Sequence, residues 1–193
     1  MHRLVIIDTE TGGLDPTKHS ILSLGAALWE DGEVTSSFYT LINEPEVSVT
    51  PEAIAVNGLT PELISWGLSP TDAVVALEQW AKSNNIYGRY MIGGHNIAGF
   101  DMGFLKRLYH LACIKMPFEY HVIDTMSIAL ALKFANVLEL KNVKLDTLCK
   151  HFYIKVRENN AKHNAKEDAV ATAEVFTRLL TLIQRPISGD DLV

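Results

Sequence analysis

Asp8 and Glu10 stand two residues apart at the end of a short apolar run, Leu4-Val5-Ile6-Ile7. In extended backbone, residues i and i+2 share a face. Two carboxylates side by side at the exit of a buried strand repel each other unless a cation lies between them. For an isolated Asp-x-Glu, a solvated turn is the plainer account, because Thr11-Gly12-Gly13 follows. Two further acids shift the balance. Asp101 precedes the stripe Phe104, Leu105, Leu108 by helical spacing, and so continues that apolar face toward the helix N-terminus. Asp168 does the same for Thr172, Val175, Phe176, Leu179 and Ile183. Burying an unpaired carboxylate costs several kcal/mol. Two of them, each at the N-terminal end of a core-facing stripe, are best explained by a shared divalent cation, and hard oxygen donors suit Mg²⁺ or Mn²⁺. His163 lies five residues before Asp168. An imidazole beside a metal-bound carboxylate can serve as general base, since its pKa lies near working pH. Four carboxylates and one His are the parts of two-metal phosphodiester hydrolysis.

The elements that must hold these groups can be read from pattern. Residues 4–8 form a β-branched run expected to be a buried strand; 20–30 and 34–42 read as two more strands, with Asp31-Gly32 as a hairpin signal between them. Thr50-Pro51, Thr60-Pro61 and Ser69-Pro70 each pair an N-cap with Pro at the first helical position, and the last opens a helix to about Lys82. Strand 90–94, helix 99–113, strand 120–124, helix 125–134 and helices 145–152 and 165–184 complete the reading. Strands first, then strands alternating with helices, give an α/β protein with one mixed sheet and helices packed on it. No linker divides residues 1–184, and 185–193 reads as a loose polar tail.

The whole chain has 193 residues, 48% of them hydrophobic, enough for a sizeable core. Two cysteines, Cys113 and Cys149, are too few for a disulfide framework and lack metal-ligand spacing, which favours reduced thiols and a cytoplasmic setting. No run approaches a membrane span, so no membrane partner is expected. The formal charge of −6 argues against a nucleic-acid partner. Yet residues 141–166 hold seven Lys/Arg against two acids, a surplus of five that leaves −11 for the remainder. This stretch leads into His163 and Asp168, so a phosphate-facing patch and a merely solvated face stand about even. A formally acidic chain suggests weak, distributive grip on a long substrate.

Three segments carry a resemblance to a known family. Asp8-Thr9-Glu10-Thr11-Gly12-Gly13-Leu14, Gly94-His95-Asn96-Ile97-Ala98-Gly99-Phe100-Asp101 and His163-Asn164-Ala165-Lys166-Glu167-Asp168 resemble, in order and spacing, the three motifs of the DEDDh (DnaQ-like) 3′→5′ exonucleases. That family includes the proofreading subunit of bacterial replicative DNA polymerase. The resemblance implies an RNase H-like fold with a five-stranded mixed sheet flanked by helices. It implies hydrolysis from the 3′ end of single-stranded or frayed DNA, releasing nucleoside 5′-monophosphates. Asp8, Glu10 and Asp168 would hold one of two Mg²⁺ ions, replaceable by Mn²⁺; Asp8 would also touch the second, assisted by Asp101, with His163 as general base. Backbone at Thr11 would receive the terminal 3′-OH, Leu14 would wedge between the last two bases, and Phe100 would line the terminal pocket. Asn57 stands where the family usually has His and would contact the terminal nucleotide. His95 and Asn96 would buttress the site, Asn96 from the substrate side. Asp124 matches a family position, but the helix N-cap is its simpler role. A polymerase partner is compatible with the resemblance. An RNA-trimming exonuclease, a degenerate exonuclease-fold binding subunit and a carboxylate-metal phosphatase are the competing readings.

Overall fold

The structure is a computed structural model and describes residues 2–44, 46, 48–155 and 162–184. Three antiparallel strands come first: β1 (Arg3–Thr11), β2 (Ile21–Glu30) and β3 (Glu33–Leu41). The turn between the last two uses Asp31 and Gly32, both at positive φ, which matches the twist of a tight hairpin. Two further strands, β4 (Tyr90–Gly94) and β5 (Phe118–Asp124), run parallel to β1. The sheet order is β3-β2-β1-β4-β5, so β1 is central. This is the five-stranded mixed sheet of the expected RNase H-like α/β fold. One boundary moved in a way that matters: β1 does not end at Asp8 but runs on through Glu10 to Thr11, where a bulge breaks the register with β2. Both acids therefore sit within the strand, fixed by its ladder.

Helices cover both faces. They are α1 (Pro51–Asn57), α2 (Pro61–Ile64), α3 (Pro70–Ser83), α4 (Asp101–Leu111), α5 (Thr125–Phe134), α6 (Leu145–Phe152) and α7 (Ala165–Ile183). Thr50, Thr60 and Ser69 cap the first three as expected, each side chain accepting from the N–H three residues on. Alternation along β1 divides the core. Val5 and Ile7 face the cluster formed with α3 and α4, through Val74, Leu77, Phe104 and Leu108. Leu4 and Ile6 face the other side, against Ala169, Ala173 and Phe176 of α7. α5 and α6 back α7 there, in a cluster with Leu148, Ala171, Val175 and Leu179. By the same alternation Asp8 and Glu10 are on the α7 side and Thr9 on the α4 side. Among the described residues no helix is long and apolar enough to cross a membrane. The segment 185–193, read as a loose tail, lies outside the described residues.

Candidate active site

The third acid reaches β1 because α7 comes unusually close to the sheet. Gly25 of β2 pairs with Asp8. A Cβ on Gly25 would stand 2.1 Å from the carbonyl carbon of Ala165, the first residue of α7. Glycine thus lets the helix start lie directly on the sheet beside Asp8. Asn164 caps that helix, accepting from the N–H groups of Lys166 and Glu167. One turn in, Asp168 is buried at 3% exposure.

Asp168 meets His163 and Glu10. His163 Nδ1 lies 2.9 Å from Asp168 Oδ2. A carboxylate can only accept, so Nδ1 carries the proton and the ring's lone pair falls on Nε2. Glu10, His163 and Asp168 each offer a ligand atom within 4.8 Å of the others. Two buried carboxylates so close form a donor pair suited to a divalent cation, with the imidazole beside them. Asp8, on the same face of β1, is partly buried next to this group but not part of it.

Asp101 approaches from the other face. As the first residue of α4 it is 3% exposed, and its Oδ1 accepts from Thr9 N–H at 3.0 Å and Thr9 Oγ1 at 2.7 Å. It lies outside the 4.8 Å group. Burial pushes its carboxyl up to about 7, against the opposing pull of the Thr9 hydrogen bonds. A carboxyl held half-ionised near neutral pH gains from a nearby cation, since the cation removes the reason for keeping its proton.

A cleft of about 320 Å³ opens beside these groups, lined on the β1 side by Thr9, Glu10, Thr11 and Leu14, on the α1 side by Ala53, Val56 and Asn57, and by Phe100. That volume suits one nucleotide unit. Leu14 stands 84% exposed at the mouth. Phe100 packs on Phe104 with ring centroids 5.2 Å apart and planes tilted by 51°, and it also lines the cleft, so it serves core and cleft together. Asn57 is buried, its amide donating to Thr11 O at 3.2 Å and accepting from Leu59 N–H at 2.9 Å. Those bonds tie α1 to the end of β1. Asn96 does not line the cleft; it is a left-handed turn residue before α4, and its carbonyl accepts from Gly99 and Phe100. His95 is held from within, Nδ1 lying 2.9 Å from the Thr125 hydroxyl, which itself donates to Gly94 O. Burial lowers the His95 pKa, so this imidazole is a neutral brace. Asp124 caps α5 as expected and in addition accepts from Asn96 and Ala98 N–H, pinning the turn that precedes Asp101.

Three supporting residues escaped the sequence reading. Thr9 sits inside the first motif but looks like a spacer. Gly25 lies in an ordinary apolar strand and gives no local sign of the helix above it. Tyr39 of β3 lies near enough to Glu10 to feel its charge; burial, the larger cause, raises its phenol. A larger groove, about 690 Å³, is lined by residues such as Arg3, Trp29, Phe176 and Gln184, and includes none of the candidate site residues.

Acids and an imidazole brought together against the central strand of this sheet, beside a nucleotide-sized cleft, mark a nuclease domain. The chain belongs to the Exonuclease family, whose model matches residues 5–176. It is 32% identical over 172 residues to the PolC-type DNA polymerase III of Clostridium perfringens, a match covering 89% of this chain and 11% of that protein. The chain therefore spans about a tenth of the length of the curated relatives it matches. Its fold is similar to that of Exonuclease X in complex with 5′ overhanging duplex DNA, at TM-score 0.66 and 22% identity, covering 95% of this chain and 94% of the other. It is also similar to the nuclease domain of 3′hExo, a DEDDh family member, bound to rAMP, at TM-score 0.74 and 17% identity, with 93% and 92% covered.

Proposed function

We propose that residues 1–184 form one exonuclease domain that removes nucleoside 5′-monophosphates from the 3′ end of single-stranded or frayed DNA. The observation that carries this reading is the group formed by Glu10, His163 and Asp168 at the edge of a cleft that also exposes Leu14. Asp8, Glu10, Asp101 and Asp168 would hold two divalent cations, with Mg²⁺ the natural choice and Mn²⁺ a substitute. Bound there, such ions would offset phosphate charge and acidify an attacking water. His163 would act as general base through Nε2, because Asp168 holds Nδ1–H and would stabilise the imidazolium. Phe100 and Leu14 offer apolar surface to the last bases, and buried Thr11 forms the cleft end beneath the terminal sugar.

The kinship with polymerases supports DNA over RNA, action in the company of a polymerase, and a cytoplasmic setting. The fold it shares with a nuclease domain bound to rAMP supports RNA trimming as a second reading. Digestion of 5′- and 3′-labelled single-stranded DNA and RNA of one sequence, with Mg²⁺, tests both. The expected result is a ladder from the 5′ label, immediate mononucleotide from the 3′ label, and faster loss of DNA. Equal or faster loss of RNA would transfer the assignment to RNA, and no mononucleotide release with Mg²⁺ or Mn²⁺ would leave a binding subunit. His163→Ala is expected to lower kcat by roughly 10²- to 10⁴-fold, the usual contribution of a positioned general base.

A further inference from the structure

The last carbonyls of a helix have no partner within it and must find one elsewhere. In α1 the Ile54 carbonyl is taken by Gly58 N–H, in the left-handed turn that ends the helix. The next two are taken from a distant part of the chain. Ala55 O accepts from the Lys162 ammonium, and Val56 O accepts from His163 N–H at 3.3 Å. The last turn of α1 has no basic residue of its own. Lys162, just before α7, supplies the missing cation, and Gly58 gives its stem room: a Cβ there would lie 3.1 Å from Lys162 Cγ. The same helix forms one wall of the nucleotide cleft and is tied to Thr11 by Asn57.

We propose that Lys162 is a positioning residue that latches the His163 segment onto α1, so that the wall of the nucleotide cleft also sets the place of the general base. The proposal rests on His163 being that base. It gives Lys162 a role different from gripping phosphate, because its ammonium is directed to a helix carbonyl. A nucleotide seated against α1 then steadies the carbonyls that hold His163, and a sub-ångström loosening of a base is enough to slow chemistry substantially.

The test uses Lys162→Met, which keeps the stem and removes the donor, and Lys162→Arg, which restores a donor. Lys162 is exposed, so neither change threatens folding. Expected for Lys162→Met are a kcat lowered about tenfold with KM within twofold, recovery in Lys162→Arg, and faster hydrogen exchange at the His163 amide. On a His163→Ala background the same substitution should cost nothing further, as for two groups acting through one step. The idea is overturned by unchanged kcat, by unchanged amide exchange, or by a full additional loss on the His163→Ala background. It is also overturned if KM rises and the salt dependence weakens by about 0.7 in log–log slope, the mark of one lost phosphate contact on a single strand. Should His163→Ala keep full activity, the general-base assignment fails instead, and amide exchange still reports on the latch.

Discussion

Thr9 donates both its backbone N–H and its hydroxyl to one carboxylate oxygen of Asp101, across the central strand from Asp8 and Glu10. The two motifs that carry these residues are 92 positions apart in the chain. Thr9, between the two acids, faces the opposite side of the sheet and so reaches the helix that starts with Asp101. The strand's alternation therefore presents acids to α7 on one face and an anchor for a fourth acid on the other.

That anchor has a consequence for stability. Burial holds the Asp101 carboxyl up to about 7 in the folded chain, well above the roughly 3.9 of a free aspartate. The unfolded chain loses the proton first, so metal-free stability falls as pH rises from about 4 through 7. Asn at 101 resembles the protonated acid and keeps the acceptor for Thr9. In chelator, Asp101→Asn should melt above the parent at pH 8, with the gap closing by pH 5. Mg²⁺ should raise the melting temperature of the parent at pH 8 and do so less in the variant, since only the parent offers a carboxylate there. Thermal melts at the two pH values, with and without Mg²⁺, read all of this; a parent as stable as the variant at pH 8 in chelator would refute it.

Gly25→Ala tests the close approach of α7. The added methyl must displace the Ala165 backbone, 2.1 Å away, and backbone cannot move aside as a flexible side chain can. Overpacking of this kind costs roughly 1–3 kcal/mol, and here at the upper end or beyond. Because Ala165 leads into Asp168, activity should fall further than stability explains. Denaturant titration and kcat, both measured where the variant remains folded, check the pair; a wild-type kcat would show that the helix start does not set the site.

How far the chain announced this site follows from distance along it. The acids and His163 lie in three short blocks, and each block carries its own pattern: i, i+2 in a strand, or an acid continuing a helical stripe. The caps at Thr50, Thr60 and Ser69 are local and were readable for the same reason. What was hidden depends on pairs far apart in sequence. Thr9 with Asp101, Gly25 with Ala165, and Lys162 with Ala55 become neighbours only once the sheet forms. Position 57 shows the limit: its identity suggested a hydrogen bond toward a nucleotide, whereas the fold turns its amide inward to Thr11 and Leu59. The charge surplus in residues 141–166 likewise includes one ammonium, that of Lys162, committed to a helix end.

Leu14 separates function from stability. At 84% exposure it contributes little to the core, so Leu14→Ala should change unfolding free energy by less than about 0.5 kcal/mol. Loss of a contact with a terminal base is worth about 1–3 kcal/mol, or roughly 5- to 150-fold in kcat/KM. The loss should be larger on a paired 3′ end, which must be frayed, than on a single strand. Comparing the two substrates decides it, and equal loss on both would assign Leu14 to simple contact and not to separation of bases.

Arg107 and Glu44 hold the loop that carries Leu14. Arg107 Nη2 lies 2.7 Å from Glu44 Oε2, and Arg107 Nη1 donates to Pro16 O at 3.0 Å. The Glu44 side chain is fully buried and also accepts from Ile21 N–H, so α4, the Leu14 loop and the start of β2 meet on one ion pair. Removing one partner of a buried pair costs about 3–5 kcal/mol, mostly for the charge left behind. Arg107 keeps 28% side-chain exposure, which lets water reach the pair and favours the lower figure. Arg107→Met should therefore cost about 3 kcal/mol in denaturant unfolding. Adding Glu44→Gln should recover part of it, because the amide oxygen still accepts from Ile21 and no charge stays buried. The double variant should nevertheless keep a raised KM for single-stranded substrate, since Pro16 has lost the donor that fixed its loop. Recovery of stability and KM together would mean that the buried charge left on Glu44, and not the lost bond to Pro16, is what displaces the wedge in Arg107→Met.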